Sequence, residues 1–475
     1  MKTRIIKGIT WNVFQLFADQ GFSMLVKIIL ARLLLPEHFG IIGMAIIFSG
    51  FFSAISDAGL GAALIRFKKE KLEDIHYQTV FWSSLVFSGL LYFILIFGIT
   101  PFAVWFYKEA ILSIILPVIG ISLILNSFNI IPKIILSREL NFKSLSIVSI
   151  TSNLFGGIIA IILAFLGAGV WSIILQGLIS GFISIPIFWY FIDWKPKFNF
   201  SKEALKDILG FGLYETGLNM LGYFTRNIDY LIVGKLLGAS LLGIYTMAFT
   251  ITDIFRQQIM GILNKIMFPV YGIMQDDFSK IKKYYLKVIK FNTIFLLPFL
   301  LPLIICTKPL ILIIFGEKWI LAEFPIQAMA VASIIHGISG TTDSVFKGIG
   351  KVNITFKISL IKIFIITIPS FVVLIYFFGI NGAAIAVIAH KSIGRIIHQY
   401  YMKKIICVSE LDILNVLKEP FFASIIPIIL LVLISSYVDI YAWEYYIIGI
   451  AVSIVIYMLS IYFMMKSEIG EIFKR

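Results

Sequence analysis

The chain has 475 residues, of which 60% are apolar (A, V, I, L, M, F, W, Y or C) and only 14% are Asp, Glu, Lys or Arg. Its mean hydropathy is +0.98. Soluble globular proteins have about 45–50% apolar and about 25% charged residues, so this composition excludes a water-soluble fold. The formal charge of +14 is interpreted by position, because Lys and Arg in loops set membrane topology. We expect no nucleic-acid partner.

Apolar runs separated by charged residues, Pro and Gly predict an all-α integral membrane protein with about fourteen transmembrane helices. A bilayer-spanning helix needs about 20 residues, which is the order of each run. The predicted spans are 9–33, 39–64, 79–103, 111–136, 144–166, 169–192, 207–233, 240–266, 288–306, 320–347, 354–378, 380–402, 419–437 and 444–465. The first, seventh, eighth and tenth carry charges or amides, which predicts that they face a protein interior or a water-filled cavity.

The distribution of Lys and Arg over the loops predicts the topology. One side of the membrane collects 31 basic residues and the other side five. The basic side comprises residues 1–8, 65–78, 133–143, 193–206, 265–290, 347–357, 391–418 and 466–475. Because cytoplasmic loops carry the excess of Lys and Arg, we expect a multi-pass protein with both termini in the cytoplasm. The remaining basic residues, Lys27, Arg226, Arg256 and Lys362, lie inside predicted spans.

An internal repeat predicts how the spans are grouped. Residues 30–45 (LARLLLPEHFGIIGMA) and 233–248 (VGKLLGASLLGIYTMA) match at an offset of 203. The identical positions are Leu33, Leu34, Gly40, Ile41, Met44 and Ala45, matching Leu236, Leu237, Gly243, Ile244, Met247 and Ala248. Six spans separate the copies, which predicts two six-helix lobes in a pseudo-twofold arrangement about an axis along the membrane normal.

The repeat divides the chain into four predicted segments. These are an N-lobe over 1–192, a cytoplasmic linker over 193–206, a C-lobe over 207–402, and two C-terminal spans with a cytoplasmic tail over 403–475. Two lobes with polar spans are typical of transporters that alternate access to a central cavity. A channel is disfavoured because no filter-like sequence is present.

Six stretches resemble the Wzx-type polysaccharide flippases of the MOP superfamily. Within that family the resemblance is strongest to the WzxC-like branch of colanic-acid and teichuronic-acid exporters. The stretches are ARLLLPEHFGIIGMA (31–45), SDAGLGAALI (56–65), IPKIILSRELNFKSLSIV (131–148), RNIDYLIVGKLLGASLLGIY (226–245), MFPVYGIMQDD (267–277) and IFGEKW (314–319). They extend to about residue 320 in the order of the family. Beyond about residue 350 the similarity is mainly one of hydropathy.

The resemblance implies a protein of the bacterial inner membrane. It would move an undecaprenyl-diphosphate-linked oligosaccharide from the cytoplasmic to the periplasmic leaflet, with spans one, two, seven and eight lining a central cavity. The implied partners are the bilayer and this lipid-linked glycan, together with a polysaccharide polymerase and glycosyltransferases. The chain has no ATPase or hydrolase motif, so we expect neither an enzyme nor a cofactor. We expect the energy for transport to come from an H⁺ or Na⁺ gradient or from removal of the product.

Basic residues inside the spans are the candidates for binding the substrate, because a charge in mid-membrane costs about 2.5–3.5 kcal/mol on insertion scales. Arg226 and Arg256 are predicted to contact the diphosphate or acidic sugars, since a guanidinium fork matches such groups. Lys27 is predicted to contact the phosphate, because no acidic residue lies three or four positions away from it. Arg226 lies three residues from Asp229, and Arg256 three from Asp253. An alternative of similar weight for each pair is an intrahelical ion pair that lets a polar helix insert into the membrane. For Lys27 the alternative is snorkelling to an interface.

Carboxylates inside the spans have two interpretations that the sequence leaves open. They are Asp19, Asp57, Glu215, Asp229, Asp253 and Asp343. Burial raises the pKa of a carboxyl group, and a protonated carboxyl could couple proton or sodium movement to transport. The alternative is simple hydrogen bonding at a lobe interface. Asp57 lies in SDAGLG near a span end, where it could also cap a turn.

Other functions compete with a lipid-linked oligosaccharide flippase. A cation-coupled drug antiporter of the same superfamily fits the fold but not the motifs. A membrane glycosyltransferase or polymerase would need a long external loop, and the longest one here is only about residues 307–319. A non-transporting scaffold of a polysaccharide assembly complex would make the buried charges dispensable.

Overall fold

A computed structural model describes residues 2–56, 59–67, 72–440 and 442–465. These residues form helices and no β-strand, which confirms the all-α prediction. The chain divides into two compact units, Met1–Gly243 and Ile244–Arg475, which we call unit 1 and unit 2. The lobe boundary predicted near residue 206 falls within unit 1 and stays a prediction.

Unit 1 contains eight complete helices in its described residues and the start of a ninth. Between α4 and α5, Leu95–Ile99 is a π-helical segment. Buried apolar side chains such as Leu64, Phe81 and Ile131 form one of its cores. The helices are α1 (Lys2–Leu33), α2 (Pro36–Ile55), α3 (Leu60–Arg66), α4 (Asp74–Ile94), α5 (Thr100–Tyr107), α6 (Leu112–Arg138), α7 (Phe142–Phe165), α8 (Val170–Tyr190) and α9 (Lys202–Ile273).

Unit 2 is built around α10, whose buried face contacts α12 and α16. A 3₁₀ segment, Glu317–Ala322, precedes α12, and a π-helical segment, Lys362–Thr367, joins α14 to α15. The helices after α9 are α10 (Phe278–Ile305), α11 (Thr307–Ile314), α12 (Glu323–Ser339), α13 (Thr342–Gly348), α14 (Val352–Ile361), α15 (Ile368–Ile406), α16 (Glu410–Ala423), α17 (Ile425–Tyr437) and α18 (Trp443–Met464).

The number of membrane spans differs from the prediction when helices are counted by length and composition. Eleven helices of the described residues qualify, or twelve if α16 and α17, bent by 46°, form one span. Two helices are too long for one crossing at 1.5 Å per residue and are broken at Gly238 and Gly379 by non-helical backbone. The predicted fourteen is not confirmed by the helix count alone.

The predicted linker over 193–206 is hydrogen-bonded along the start of α4. The Gln78 side chain donates to the carbonyl oxygen of Lys195 at 3.1 Å and accepts from the amide of Lys197 at 2.6 Å. The Trp82 indole donates to the Lys197 carbonyl oxygen at 2.8 Å and stacks on Phe198 with ring centroids 4.6 Å apart. The linker is therefore fixed to α4 by its backbone.

The two copies of the sequence repeat form equivalent turns that contact each other within unit 1. The first copy turns at Leu35, whose backbone is extended (φ −84°, ψ 154°). The second turns at the position matching Leu35, Gly238, with φ 78°, a region that glycine adopts most readily. Gly40 packs on the carbonyl group of Ala239, and its repeat counterpart Gly243 packs on that of Pro36. These contacts are reciprocal between the copies, as a local twofold axis requires.

Candidate functional site

Unit 2 holds a group of charged and polar side chains on five neighbouring stretches of helix, which we call the polar cluster. Electrostatic interactions connect its members across α9, α12, α13, the π-helical segment and α15. The members are Asp253, Arg256, Gln257, His336, Asp343, Lys362, His390, Lys391 and His398. With neutral histidines, three cations and two carboxylates leave one net positive charge, so the polar cluster favours an anionic group.

Arg256 and Asp253 form a buried bidentate ion pair on one turn of α9. Arg256 Nε lies 2.5 Å from Asp253 Oδ1, and Arg256 Nη2 lies 2.6 Å from Asp253 Oδ2. The side chains are 11% and 7% exposed. Gln257 Nε2 donates a further hydrogen bond of 2.5 Å to Asp253 Oδ2. The structural interpretation of this pair as an intrahelical ion pair therefore holds for the state described, and the guanidinium is held in one orientation.

Asp343 contacts a histidine that the sequence did not single out. His398 Nε2 on α15 lies 3.5 Å from Asp343 Oδ1 on α13. The Asp343 side chain is 48% exposed, whereas that of His398 is 6% exposed. Asp343 is thus half-exposed, while His398 is enclosed by helices. Lys362 and Lys347 interact electrostatically with Asp343 as well.

Lys362 begins the π-helical segment and extends over a glycine of α15. A Cβ atom added to Gly394 would lie 3.1 Å from Lys362 Cε and 3.4 Å from Nζ, so the missing side chain makes room for the lysine. Lys362 interacts electrostatically with Asp343 and Arg256. Thr367, which ends the segment, hydrogen-bonds His390 Nδ1 at 2.6 Å. π-Helical turns are frequent at functional sites. Here one such turn carries both Lys362 and Thr367, the hydrogen-bond partner of His390.

In unit 1, Asp19 is a hydrogen-bond acceptor between α1 and α7. Ser149 Oγ donates to Asp19 Oδ2 at 2.6 Å, and Asn153 Nδ2 donates to Asp19 Oδ1 at 3.1 Å. Lys27 lies two turns further along α1 with an exposed side chain. It forms no ion pair among the described residues. Both residues thus lie on one helix, but only Asp19 has its polar atoms satisfied by neighbours.

Arg226 lies on the first part of α9 next to a tyrosine that joins α9 to α2. The Tyr223 hydroxyl donates to the Ile46 carbonyl oxygen at 2.9 Å. Arg226 interacts electrostatically with Tyr223, and its Nη2 folds back to 3.7 Å from a Cβ added at Gly222. The Arg226 side chain is exposed. Asp229 takes part in a polar or electrostatic contact, and its pairing with Arg226 stays a prediction.

Two predicted carboxylates cannot be placed. Asp57 lies outside the described residues, and the side chain of Glu215 on α9 lies outside them too. Their assigned roles stay predictions.

Several members of the polar cluster were missed by sequence reasoning. Lys391 was counted in the basic loop 391–418, which is wrong, because it lies inside α15 and interacts electrostatically with Asp253. Its position within the predicted span 380–402 was the available signal. His398 and Gln257 carried no charge pattern that could have distinguished them.

The fold and the charged interior define a multi-pass helical membrane protein. The chain belongs to the polysaccharide biosynthesis protein family, whose model matches residues 29–323. It is 25% identical over 364 residues to the succinoglycan biosynthesis transport protein ExoT of Rhizobium meliloti (strain 1021), covering 75% of this chain and 72% of ExoT. It is 20% identical to the lipopolysaccharide biosynthesis protein WzxC of Escherichia coli (strain K12), covering 85% and 82%. The resemblance inferred from the sequence is confirmed.

Solved structures show the same fold. The inward closed conformation of the lipid II flippase MurJ superposes with a TM-score of 0.73 at 15% identity, covering 99% of this chain and 100% of MurJ. An inward-facing multidrug resistance MATE family transporter of the MOP superfamily gives a TM-score of 0.67 at 18% identity, covering 84% and 98%. At these identities the likeness establishes the fold alone, and the choice between glycan and drug depends on the family and the site.

Proposed function

We propose that the protein is a flippase that moves undecaprenyl-diphosphate-linked polysaccharide repeat units across the bacterial inner membrane by alternating access. Family membership supports a role in polysaccharide biosynthesis, and one relative is named as a transport protein. The observation that carries the proposal is the positively charged polar cluster inside a chain with few charges. A diphosphate is the part of such a substrate that an apolar passage would exclude.

Arg256 is the group we assign to the diphosphate in unit 2. Its fork is already oriented by two bonds to Asp253, and guanidinium binds phosphate through the same parallel hydrogen bonds. Asp253 neutralises the Arg256 guanidinium when no substrate is bound. During transport the phosphate oxygens would share the guanidinium with Asp253. Lys362 adds a second cation near Arg256. Lys27 and Arg226, both exposed in unit 1, are assigned to the same chemistry.

Export is proposed to be coupled to proton movement through Asp343 and His398. A carboxylate and an imidazole 3.5 Å apart can hold one proton between them, and the half-exposed side of Asp343 is where that proton would enter or leave the pair. Na⁺ is a poorer fit, because hard cations prefer oxygen ligands and the partner of Asp343 is a nitrogen. The positive neighbours of the pair are Lys362 and Lys347.

The membrane and the partners follow from the same proposal. We infer that both termini lie in the cytoplasm, because the basic residues of the loops are concentrated on one side, 31 against five by sequence, or 30 without Lys391, which lies in α15. The protein would perform no covalent chemistry, and glycosyltransferases and a polymerase would supply and consume the lipid-linked glycan on the two sides.

Charge removal combined with an export assay tests the proposed function. Lys27→Ala, Arg226→Ala and Arg256→Ala, the last combined with Asp253→Asn so that no buried carboxylate is left unpaired, should insert normally and abolish the appearance of lipid-linked glycan on the periplasmic side. Arg256→Lys keeps the charge without the fork, so it should insert and retain partial export. The control, Lys403→Ala, removes an exposed charge outside the site and should export normally. Full export by all three alanine variants would refute the site.

The coupling is tested separately in proteoliposomes with an imposed proton gradient. Wild-type export should accelerate with the gradient, and Asp343→Asn and His398→Gln should lose that acceleration while still moving glycan down its own gradient. His76→Gln, a histidine of α4 that accepts a hydrogen bond from the Glu73 amide outside the polar cluster, should keep the acceleration. Acceleration by a sodium gradient instead, or its survival in both variants, would contradict proton coupling through this pair.

A further inference from the structure

The first four turns of α10 carry lysines on two different faces. Lys282 and Lys290 point toward α16, where Lys282 Nζ lies 2.6 Å from Asp412 Oδ2 and Lys290 pairs with Glu419. The other face is exposed and carries Lys280, Lys283, Tyr284 and Lys287, which lie at the i, i+3, i+4 and i+7 spacing of one helix face. The face with Lys282 and Lys290 packs α10 against α16. The exposed face is not needed for this packing and is available to bind a ligand.

This exposed face lines a pocket of about 530 Å³ between the end of α9 and the start of α10. Three lysines, one tyrosine and two aspartates contribute polar groups to its wall. Ile273 and Met274 form the apolar side. A concave site with convergent ammonium groups differs from a flat solvated surface, because one anion can contact several cations at once.

The aspartates do not cancel the positive charge of the pocket. Asp277 caps α10 by accepting from the Lys280 amide at 3.0 Å and pairs with Lys280 Nζ at 2.9 Å. Its hydrogen bonds from Lys280 hold the pKa of the Asp277 carboxyl below its usual value. Lys283 and Lys287 form no ion pair among the described residues. Two ammonium groups therefore oppose the single remaining carboxylate of Asp276.

An apolar strip continues from the pocket along the same face of α10. Phe291 and Phe295 follow Lys287 at successive intervals of four residues and are 45% and 36% exposed. Their ring centroids lie 4.5 Å apart. Ile273, at the end of α9, is 84% exposed. In a membrane these side chains meet acyl chains, so the surface changes from cationic to apolar in the direction in which a lipid changes from headgroup to tail.

We propose that this pocket binds the phosphate headgroup of an anionic phospholipid of the bilayer, with an acyl chain along Phe291 and Phe295. A soluble phosphate would gain nothing from the apolar strip. A zwitterionic headgroup would bring its own cation against the lysines. The site lies on the outer surface of unit 2 at the end of a span, where bilayer lipid is the most abundant phosphate. Binding here does not depend on the proposed export activity.

Native mass spectrometry of the full chain with added phosphatidylglycerol tests the site. The wild type should retain phosphatidylglycerol in preference to phosphatidylcholine. Lys283→Ala/Lys287→Ala should bind it about tenfold to thirtyfold more weakly, since each lysine near a membrane surface contributes about 1 kcal/mol to attraction of anionic lipid and 1.4 kcal/mol is tenfold. Lys403→Ala/Lys404→Ala removes the same charge from exposed positions outside the pocket and should bind as the wild type does.

Two further arms identify the ligand. Glycerol 3-phosphate, which has the headgroup chemistry without a tail, should fail to displace the lipid, and Phe291→Asn should weaken retention while leaving the lysines in place. Undecaprenyl diphosphate should compete no better than phosphatidylglycerol does. Equal retention by the pocket variant and its control, displacement by glycerol 3-phosphate, or preference for the polyprenyl lipid would overturn the proposal.

Discussion

Gly40 and Gly243 should be the glycines of unit 1 least tolerant of a methyl group. A Cβ atom on Gly40 would overlap the carbonyl group of Ala239, and one on Gly243 would overlap that of Pro36. Both obstacles are backbone atoms, which cannot rotate aside as a side-chain end can. Each alanine therefore has to push two backbone segments apart by more than 1 Å, roughly the deficit from an ordinary 3.5–4.0 Å contact.

The magnitude follows from two opposing effects. Overpacking costs about 1–3 kcal/mol, and a rigid backbone obstacle places both substitutions near the upper end. Alanine regains about 1 kcal/mol over glycine in a helix interior. We expect each substitution to lower the free energy of unfolding by about 2 kcal/mol. The contacts are reciprocal, so one separation relieves both, and Gly40→Ala/Gly243→Ala should cost at least about 0.5 kcal/mol less than the sum of the single changes.

The assay is unfolding by SDS titration in mixed micelles. Gly177→Ala on α8 is the matched control, because nothing lies within 4 Å of its added Cβ, and it should raise stability by about 1 kcal/mol. The difference between the site variants and the control should then be about 3 kcal/mol. If Gly40→Ala is as stable as Gly177→Ala, or if the two site variants are simply additive, the reciprocal backbone contact is not present in the membrane protein.

Three further outcomes are expected. Arg256→Met should destabilise the chain by about 3–5 kcal/mol because it leaves a buried carboxylate unpaired, and Asp253→Asn/Arg256→Met should recover much of that loss in the same SDS titration. Gln78→Leu should release the linker over 193–206 from α4, seen as faster limited proteolysis between those residues at unchanged expression. Asp277→Asn should free Lys280 and strengthen phosphatidylglycerol retention in native mass spectrometry, whereas weaker retention would show that Asp277 organises the pocket.

Hydropathy and the repeat predicted the helical class, and the turn at Leu35 and Gly238 occurs at matching positions of the repeat. These features could be predicted because they depend on residues that are close together in the chain, namely the apolar runs and the repeated motif. The number of spans is less well determined by local pattern. Gly238 and Gly379 interrupt long helices with non-helical backbone, and the eleven or twelve candidate spans of the described residues do not confirm the predicted fourteen.

The candidate site was predicted only where charge alone identified it. Asp253 and Arg256 share a helical turn, so their spacing was enough. Asp343 was identified as a carboxylate inside a predicted span, but its partner His398 comes from another helix. Contacts of this kind depend on helix packing and rotation, which a single sequence does not encode. The lysines of α10 show the same limit, because spacing cannot tell which face has partners on α16.

Translocation of a purified lipid-linked glycan is the most direct test of the central claim. The full chain reconstituted in proteoliposomes should move undecaprenyl-diphosphate-linked oligosaccharide between leaflets, measured as loss of protection from an external glycosidase. Wild type should give protein-dependent translocation, Arg226→Ala and Arg256→Ala should give none at equal reconstitution, and Lys403→Ala should match the wild type. Translocation at the protein-free rate by wild type, or at the wild-type rate by both arginine variants, would contradict a flippase that works through these cations.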